Sequence, residues 1–179
     1  ITWHYNRIWR TPISLYTHIL KYEPDSAKIC NNLAMAYDDA GQLEQAIGLY
    51  QRAISLSDEY PQTHHNLANA YLQVGNEARA VEELRRAVAL DPAFHHAWIK
   101  LGSIALHRRE STDAVQAFTQ AIQAYPYDAQ AYLGLAQAHL ARGNGPAACS
   151  TLQKSRAALP DDPVLRDALE QCHVPPSAH

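Results

Sequence analysis

Ten histidines are the most evident candidates for chemistry in this 179-residue chain, and four of them form the adjacent pairs His64 with His65 and His95 with His96. Imidazole nitrogens ligate metal ions, but adjacent residues on a helix point about 100° apart, so neither pair is expected to chelate alone. No carboxylate lies at an HxxxH-type spacing from them. We therefore predict no metal site, with His64 half buried and the other histidines in contact with water.

The cysteines and the lack of catalytic motifs in the sequence indicate that the chain has no catalytic chemistry. Cys30, Cys149 and Cys172 are odd in number and lack CxxC spacing, which favours three unpaired, small apolar side chains. No GxSxG motif, phosphate-cradling glycine loop or paired nucleophile and base is present. We predict neither enzymatic activity nor a cofactor.

The composition limits the class of partner. The net charge is -3 and 18% of the residues are charged, so no basic field attracts nucleic acid or an anionic membrane. No apolar run approaches the roughly 18 residues needed to cross a bilayer, and we expect a soluble chain. Because the sequence starts at Ile1 and its only methionine is Met35, we interpret it as a piece of a longer polypeptide, which leaves its compartment open.

A period of 34 residues organises the elements that must position these side chains. A leucine followed by a small residue recurs at Leu33, Leu67, Leu101 and Leu135, and small residues recur at Ala46, Ala80, Ala114 and Ala148. Within one period, His64, Leu67, Ala68 and Tyr71 have the i, i+3, i+4, i+7 spacing of an amphipathic helix. Gly75 ends that helix, and a second helix is predicted from about Glu77 to Leu90. The period therefore predicts stacked helix pairs whose core comes from neighbouring units.

This pattern resembles the tetratricopeptide repeat (TPR). Three sets of positions carry the resemblance. The bulky position of the first helix holds Cys30, His64, Trp98 and Tyr132, and the position three residues after the leucine-small pair holds Tyr37, Tyr71, Ala105 and His139. The large position of the second helix holds Tyr50, Leu84, Phe118 and Leu152. Arg109 replaces the turn glycine of Gly41, Gly75 and Gly143, and Asp58 replaces the terminal proline. The resemblance implies an all-α fold, a right-handed superhelical solenoid of helix-turn-helix repeats, that binds other proteins.

The same register divides the chain into units. We predict a truncated repeat over 1–26 with its second helix at about 12–22, four repeats over 27–60, 61–94, 95–128 and 129–162, a capping helix over 163–173 and a tail over 174–179.

The face of each first helix opposite the stack is the candidate binding surface. Its second, sixth, ninth and thirteenth positions are Lys28, Asn32, Met35, Asp39; Gln62, Asn66, Asn69, Gln73; His96, Lys100, Ser103, His107; Gln130, Gly134, Gln137, Ala141. All of these except Met35, Gln130, Gly134 and Ala141 form the predicted peptide-binding set. Asparagine and glutamine each offer a donor and an acceptor, so they can pair with an extended backbone whatever its side chains.

Two resemblances give this surface a finer interpretation. Asn32 and Asn66 occupy the position where the repeats of O-GlcNAc transferase and similar superhelical receptors carry an asparagine ladder, and Lys100 and Gly134 interrupt it. The carboxylate clamp of chaperone-binding TPR proteins is matched in part by Lys28, Asn32, Asn66 and Lys100, although Asp39 would repel a carboxylate. Protonation of His96 and His107 near pH 6 is a further hypothesis for pH-dependent binding.

The first residues suggest a second class of function. Trp3, Tyr5, Ile8 and Trp9 stand among Arg7 and Arg10, a composition typical of a membrane interface. The stretch from Asn6 to Leu33 resembles the junction between membrane region and repeats in bacterial relatives of membrane O-mannosyltransferases. The alternatives are therefore a free adaptor and a substrate-recognition or scaffolding appendage of a polytopic membrane glycosyltransferase, cytoplasmic or periplasmic, tethered through segments absent from this sequence. Self-association through exposed aromatic side chains also remains open.

Overall fold

A computed structural model of the protein describes residues 10–173, apart from the side chain at position 173. Its described elements are the helices α1 (Pro12–Leu20), α2 (Ala27–Asp39), α3 (Leu43–Leu56), α4 (Pro61–Gln73), α5 (Glu77–Leu90), α6 (His95–His107), α7 (Ser111–Ala124), α8 (Ala129–Ala141), α9 (Gly145–Ala158) and α10 (Pro163–His173). They belong to two compact units, which run from Ile1 to Asp91 and from Pro92 to His179. The expectations for Trp3, Tyr5, Ile8, Trp9 and the tail 174–179 lie outside the described residues.

The 34-residue period of the sequence reappears in the helix starts. The helices α2, α4, α6 and α8 each have 13 residues and begin at positions 27, 61, 95 and 129. The helices α3, α5, α7 and α9 each have 14 residues and begin at positions 43, 77, 111 and 145. The all-α class predicted from the sequence is confirmed: between residues 10 and 173 no strand is present, and each unit is built from helical hairpins.

The turn inside each hairpin has one geometry, including the turn that lacks glycine. Gly41, Gly75 and Gly143 have φ values of 71°, 76° and 72°, and Arg109 has a φ of 61°. In all four turns the next residue donates its N–H to the carbonyl five residues earlier, at 2.8 or 2.9 Å. This bond satisfies a carbonyl at the helix end. Arg109 therefore preserves the turn in a left-handed conformation that disfavours a side chain.

The first unit is held together by apolar residues from both helices of each pair. Tyr50, Leu67 and Leu84 are fully buried, and Ala46 and Ala80 have no exposed surface. These alanines stand where helices approach closely, so the recurrence of small residues in the sequence has a direct packing cause.

The second unit has a core centred on one aromatic ring. Phe118 of α7 packs against two glycines of the neighbouring first helices, Gly102 on α6 and Gly134 on α8. A Cβ added at Gly102 would lie 2.8 Å from the ring, and one added at Gly134 would lie 2.2 Å from it. Leu165 and Leu169 of α10 cover the last hairpin together with Leu152. Within residues 10–173, the helices fall short of the length and apolar character needed to span a membrane.

Candidate functional site

The predicted binding residues of the first unit lie on the surface of α2 and α4. Lys28, Asp39, Gln62 and Gln73 are exposed, as is Met35, whereas three asparagines are half-buried. We call the amide-bearing part of this face the amide surface; it consists of Asn32, Gln62, Asn66, Asn69 and Gln73. The α2 and α4 positions that the spacing assigned to this face are therefore accessible, in full or in part.

Hydrogen bonds organise the amide surface only in part. Gln62 Nε2 donates to Asn66 Oδ1 at 2.8 Å, and Gln73 Nε2 donates to Asp38 Oδ1 of α2 at 2.9 Å. Asn66 Nδ2 and Asn69 Oδ1 are buried, and among the described residues they have no hydrogen-bond partner. Leaving such a group unpaired costs about 1–3 kcal/mol, so a polar partner that reaches these amides would stabilise the surface.

Asn31 also carries a buried amide atom without a hydrogen-bond partner among the described residues, and the sequence reasoning missed it. Its Nδ2 approaches Met35 Sδ at 3.6 Å, while its Oδ1 is buried without a partner among the described residues. Asn31 stands one position before Asn32 on α2, so the helical spacing assigned only Asn32 to the binding face. An asparagine next to the predicted amide row was the signal available in the sequence.

The corresponding face of the second unit differs from the expectation at one position. His96, Lys100, Ser103, His107 and Gln137 are exposed on α6 and α8. Gly134 is buried and the Phe118 ring fills the space that a side chain would need, so this position of the wall presents no side chain to a ligand.

An open pocket of about 340 Å³ lies on this face of the second unit. Its walls, which define the Phe118 pocket, are Ile99, Ser103, Leu106, Phe118, Gln130, Leu133, Gly134 and Gln137. The pocket combines apolar side chains with a few polar ones, as ligand sites in proteins do. The sequence reasoning placed Ser103, Gln130, Gly134 and Gln137 on this face but did not foresee the pocket, because Phe118 comes from a second helix.

A cavity of about 740 Å³ lies on the other side of Gln137 in the same unit. Leu140, Cys149 and Cys172 contribute to its largely apolar walls. The Cys149 thiol donates to the Cys172 carbonyl at 3.5 Å, and burial raises the pKa of the Cys172 thiol to about 11. The three cysteines are free.

His64 of α4 contacts Asp58, the residue that replaces the terminal proline, in the first unit. His64 is only 3% exposed, so the expectation that it is half buried is wrong. Its Nε2 lies 2.7 Å from Asp58 Oδ1, and its Nδ1 lies 2.7 Å from Glu83 Oε2. Arg86 Nη2 donates to Asp58 Oδ2 at 2.5 Å. We call these four residues the His64 network.

Polar contacts hold the His64 network together. The guanidinium of Arg86, hydrogen-bonded to Asp58, holds the pKa of that carboxyl below its usual value, and His64 acts in the same direction. The network therefore replaces apolar packing by polar contacts and an ion pair at this position.

A second histidine cluster occurs at the start of α6. His95 Nε2 lies 3.7 Å from Asp128 Oδ2, and the rings of His95 and His96 contact each other at a tilt of 38° with centroids 3.9 Å apart. Burial lowers the pKa of His95, and the nearby His96 lowers it further. The spacing of the sequence could not indicate this carboxylate, which lies 33 residues after His95 and is brought to it by the fold.

The partial carboxylate clamp is divided between the units. Lys28, Asn32 and Asn66 belong to the first unit and Lys100 belongs to the second. The convergence of all four on one carboxylate remains a prediction.

Comparison with protein families identifies the class to which these hairpins belong. Three family models match, each described as a tetratricopeptide repeat or TPR repeat, over residues 36–75, 65–129 and 105–172. Together the matches span residues 36–172, and the chain belongs to the tetratricopeptide repeat proteins.

Solved structures of similar fold support the same assignment. A crystal structure of MamA matches with a TM-score of 0.74 at 24% identity, over 83% of this chain and 81% of that one. YrrB, described as a TPR protein with an unusual peptide-binding site, matches with a TM-score of 0.70 at 18% identity, over 88% of this chain and 81% of YrrB. The first TPR of Spaghetti (RPAP3), bound to an HSP90 peptide, matches with a TM-score of 0.62 at 20% identity, over 66% and 94%.

At these identities the likeness shows the fold. No curated protein sequence matches the chain. The comparisons give no support to the resemblance with O-mannosyltransferase relatives.

Proposed function

We propose that this protein is a protein-interaction module that binds an extended segment of a partner protein on the first-helix face of its hairpins. YrrB and the first TPR of RPAP3 are described as binding peptides, and both have a fold similar to that of this chain. Their peptide binding supports the proposal because this chain is also a tetratricopeptide repeat protein. The proposed contact residues are those predicted from the spacing: Lys28, Asn32, Asp39, Gln62, Asn66, Asn69, Gln73, His96, Lys100, Ser103, His107 and Gln137.

The single observation that carries the proposal is the incomplete pairing of the amide surface. An extended backbone presents an N–H and a C=O group at each residue, with residues spaced roughly 3.3–3.6 Å apart. Asn66 Nδ2 offers a donor and Asn69 Oδ1 offers an acceptor, and neither has a partner among the described residues. Both atoms lie beneath the surface, so a side-chain rotation must accompany binding.

The Phe118 pocket supplies what the amide surface lacks. Amide contacts to a backbone carry no information about the ligand's side chains, whereas a pocket with apolar walls selects for one. We therefore expect the first unit to contribute sequence-independent affinity and the second unit to prefer an apolar side chain.

The test compares peptide capture by matched variants. An array of extended peptides is probed with the wild-type chain, with Asn32→Ala, Asn66→Ala, Asn69→Ala combined, and with Gln45→Ala, Gln116→Ala, Gln123→Ala combined. The control removes three exposed amides from second helices. We expect at least tenfold weaker binding for the first triple variant, about 1.4 kcal/mol, and no change for the control.

Equal retention of every peptide by both triple variants would place the binding surface elsewhere. Circular dichroism and the thermal midpoint establish that both variants fold. A preference for peptides with an apolar residue, lost in a chain carrying Ser103→Phe in the Phe118 pocket, tests the contribution of the second unit separately.

A further inference from the structure

We propose that His95, His96 and Asp128 form a binding site for a divalent transition-metal ion such as Zn²⁺. We call this group the His95 cluster. Two imidazoles and one carboxylate are ligands that Zn²⁺ takes in proteins, and a set of three leaves a further coordination position open. The same ligand types bind Mg²⁺ poorly, because Mg²⁺ requires oxygen ligands.

The separation of the ligating atoms fits this interpretation. One ligand atom from each residue can be chosen so that all three lie within 4.8 Å of one another. A point then exists no more than roughly 2.8 Å from each of them, compared with about 2.0–2.2 Å for ligands of bound Zn²⁺. Side-chain rotations that move each atom by less than about 1 Å therefore complete the site without any change of the backbone.

The carboxylate is already oriented for this role. Asp128 precedes α8, and its Oδ1 accepts a hydrogen bond from Gln130 N at 2.8 Å. Its second oxygen, Oδ2, is the one that faces His95 at 3.7 Å. A backbone donor that holds one carboxylate oxygen and leaves the other for the metal is the outer contact that metal sites commonly use to fix a ligand.

The imidazoles are held by aromatic neighbours. The His95 ring contacts the Tyr125 ring at a tilt of 33° with centroids 4.7 Å apart, and the His96 ring meets Phe94 edge-on at 6.0 Å. The side chains of His95 and Asp128 are each only 18% exposed, while His96 is exposed. Two ligands are thus confined and the third completes the set from the solvent side, so the ion has a path into the site.

The charges around the His95 cluster bear on which ion can bind there. The first turns of α6 and α8 carry partial positive charge, which disfavours a cation. The carboxylate of Asp128 opposes that charge directly at the site. The ion must therefore be held by coordinate bonds to imidazole, which again favours a transition metal over Ca²⁺ or Mg²⁺.

The test is a Zn²⁺ titration of the full chain, free of any added histidine tag, against a chromophoric chelator. We expect one Zn²⁺ per chain at the highest-affinity site, unaffected by excess Mg²⁺. His95→Gln and Asp128→Asn should each weaken that site at least tenfold. Asparagine retains the oxygen that accepts from Gln130 N, so Asp128→Asn removes the charge and keeps the helix cap. His107→Gln, on the same helix as His95, is the matched control and should bind Zn²⁺ with the affinity of the wild type.

Nuclear magnetic resonance of the imidazole rings locates the ion directly. The ring signals of His95 and His96 should shift with the first equivalent of Zn²⁺, before those of any other histidine. Absence of Zn²⁺ binding, a different histidine responding first, or unchanged affinity in both variants would each overturn the proposal. Peptide capture by the amide-surface variants is a separate measurement, so failure here and failure of the proposed function remain distinguishable.

Discussion

His64 in the first unit and Trp98 in the second occupy the same place in their hairpins, 34 residues apart, and both reach back to the residue six positions earlier. His64 Nε2 lies 2.7 Å from the side chain of Asp58. Trp98 Nε1 donates to the backbone carbonyl of Pro92 at 3.0 Å. The same connection between a linker and a first helix is therefore made to a carboxylate side chain in one unit and to a backbone carbonyl in the other.

The difference shows two ways to fill one repeat position. In these two hairpins the fourth residue of the first helix fills space and ties the preceding linker to the helix, and the tryptophan does both with one ring. Histidine is smaller and has two polar ring nitrogens, which contact the carboxylates of Asp58 and Glu83, and Asp58 in turn pairs with Arg86. The stability of the first unit should consequently respond more strongly to changes of charge.

The strongest test removes the donors but keeps a ring at both places. His64→Phe should destabilise the first unit by about 2–3 kcal/mol, because Asp58 and Glu83 lose the buried imidazole that both contact, while they remain partly in contact with water. Trp98→Phe should cost the second unit only about 1 kcal/mol, because one neutral hydrogen bond is lost. Hydrogen exchange of the amides of α4 and α6 measures each unit separately. Equal losses in the two units would contradict the comparison.

A second difference concerns glycine in the helices of the two units. Gly134→Ala should destabilise the second unit by about 2 kcal/mol, because the new Cβ would meet the Phe118 ring. Gly48→Ala in the first unit is the control: its Cβ meets nothing within 4 Å, so it should stabilise α3 by up to about 1 kcal/mol. Denaturant midpoints give both changes. If Gly134→Ala is tolerated, the Phe118 ring does not occupy the space that we assign to it.

A third prediction concerns the turn without glycine. Arg109→Gly should stabilise the second unit by about 1 kcal/mol, because it relieves a left-handed conformation that disfavours a side chain. The reverse change in the first unit, Gly75→Arg, should destabilise by a similar amount. Thermal midpoints of the two variants should move in opposite directions, and a shift of both in the same direction would refute this account of the turns.

The smallest expected effect is the response to acid. The pKa of Asp58 in the folded chain is depressed, first by its hydrogen bond to Arg86. Its contribution to stability is therefore present above the pKa of the unfolded chain and is lost as the pH falls through the folded value. Because Asp58 is 46% exposed, the contribution should be below about 1 kcal/mol.

Comparison of Asp58→Asn with the wild type isolates this contribution. The difference between their denaturant midpoints should be largest near neutral pH and should shrink toward about pH 3. A difference that does not depend on pH would show that Asp58 acts by shape and not by charge.

The sequence was sufficient for the features that depend on spacing along the chain. The recurrence of leucine followed by a small residue predicted the hairpins, and the alignment of Arg109 with three glycines identified the turn in which it lies. The amide row on α4 followed from helical geometry alone, because Gln62, Asn66 and Gln73 lie on one face of a single helix.

Contacts between elements could not be read in this way. The pairing of His64 with Asp58 depends on where a linker crosses a helix, and the approach of Asp128 to His95 depends on two helix starts meeting. The surroundings of Gly134 were missed for the same reason: its own helix turns it toward the binding face, and a ring from α7 packs against it there. In each case the missing information is the distance between side chains from different elements.

The location of Asp58 also limits how freely such hairpins can be rearranged. It lies in the linker before α4, so the helical pair α4 and α5 contains His64, Glu83 and Arg86 but not the fourth member of the network. Any recombination or design that joins this pair to a different predecessor separates a buried imidazole from one of its two carboxylate partners. The part of the chain that must be kept together is the hairpin with the linker that precedes it.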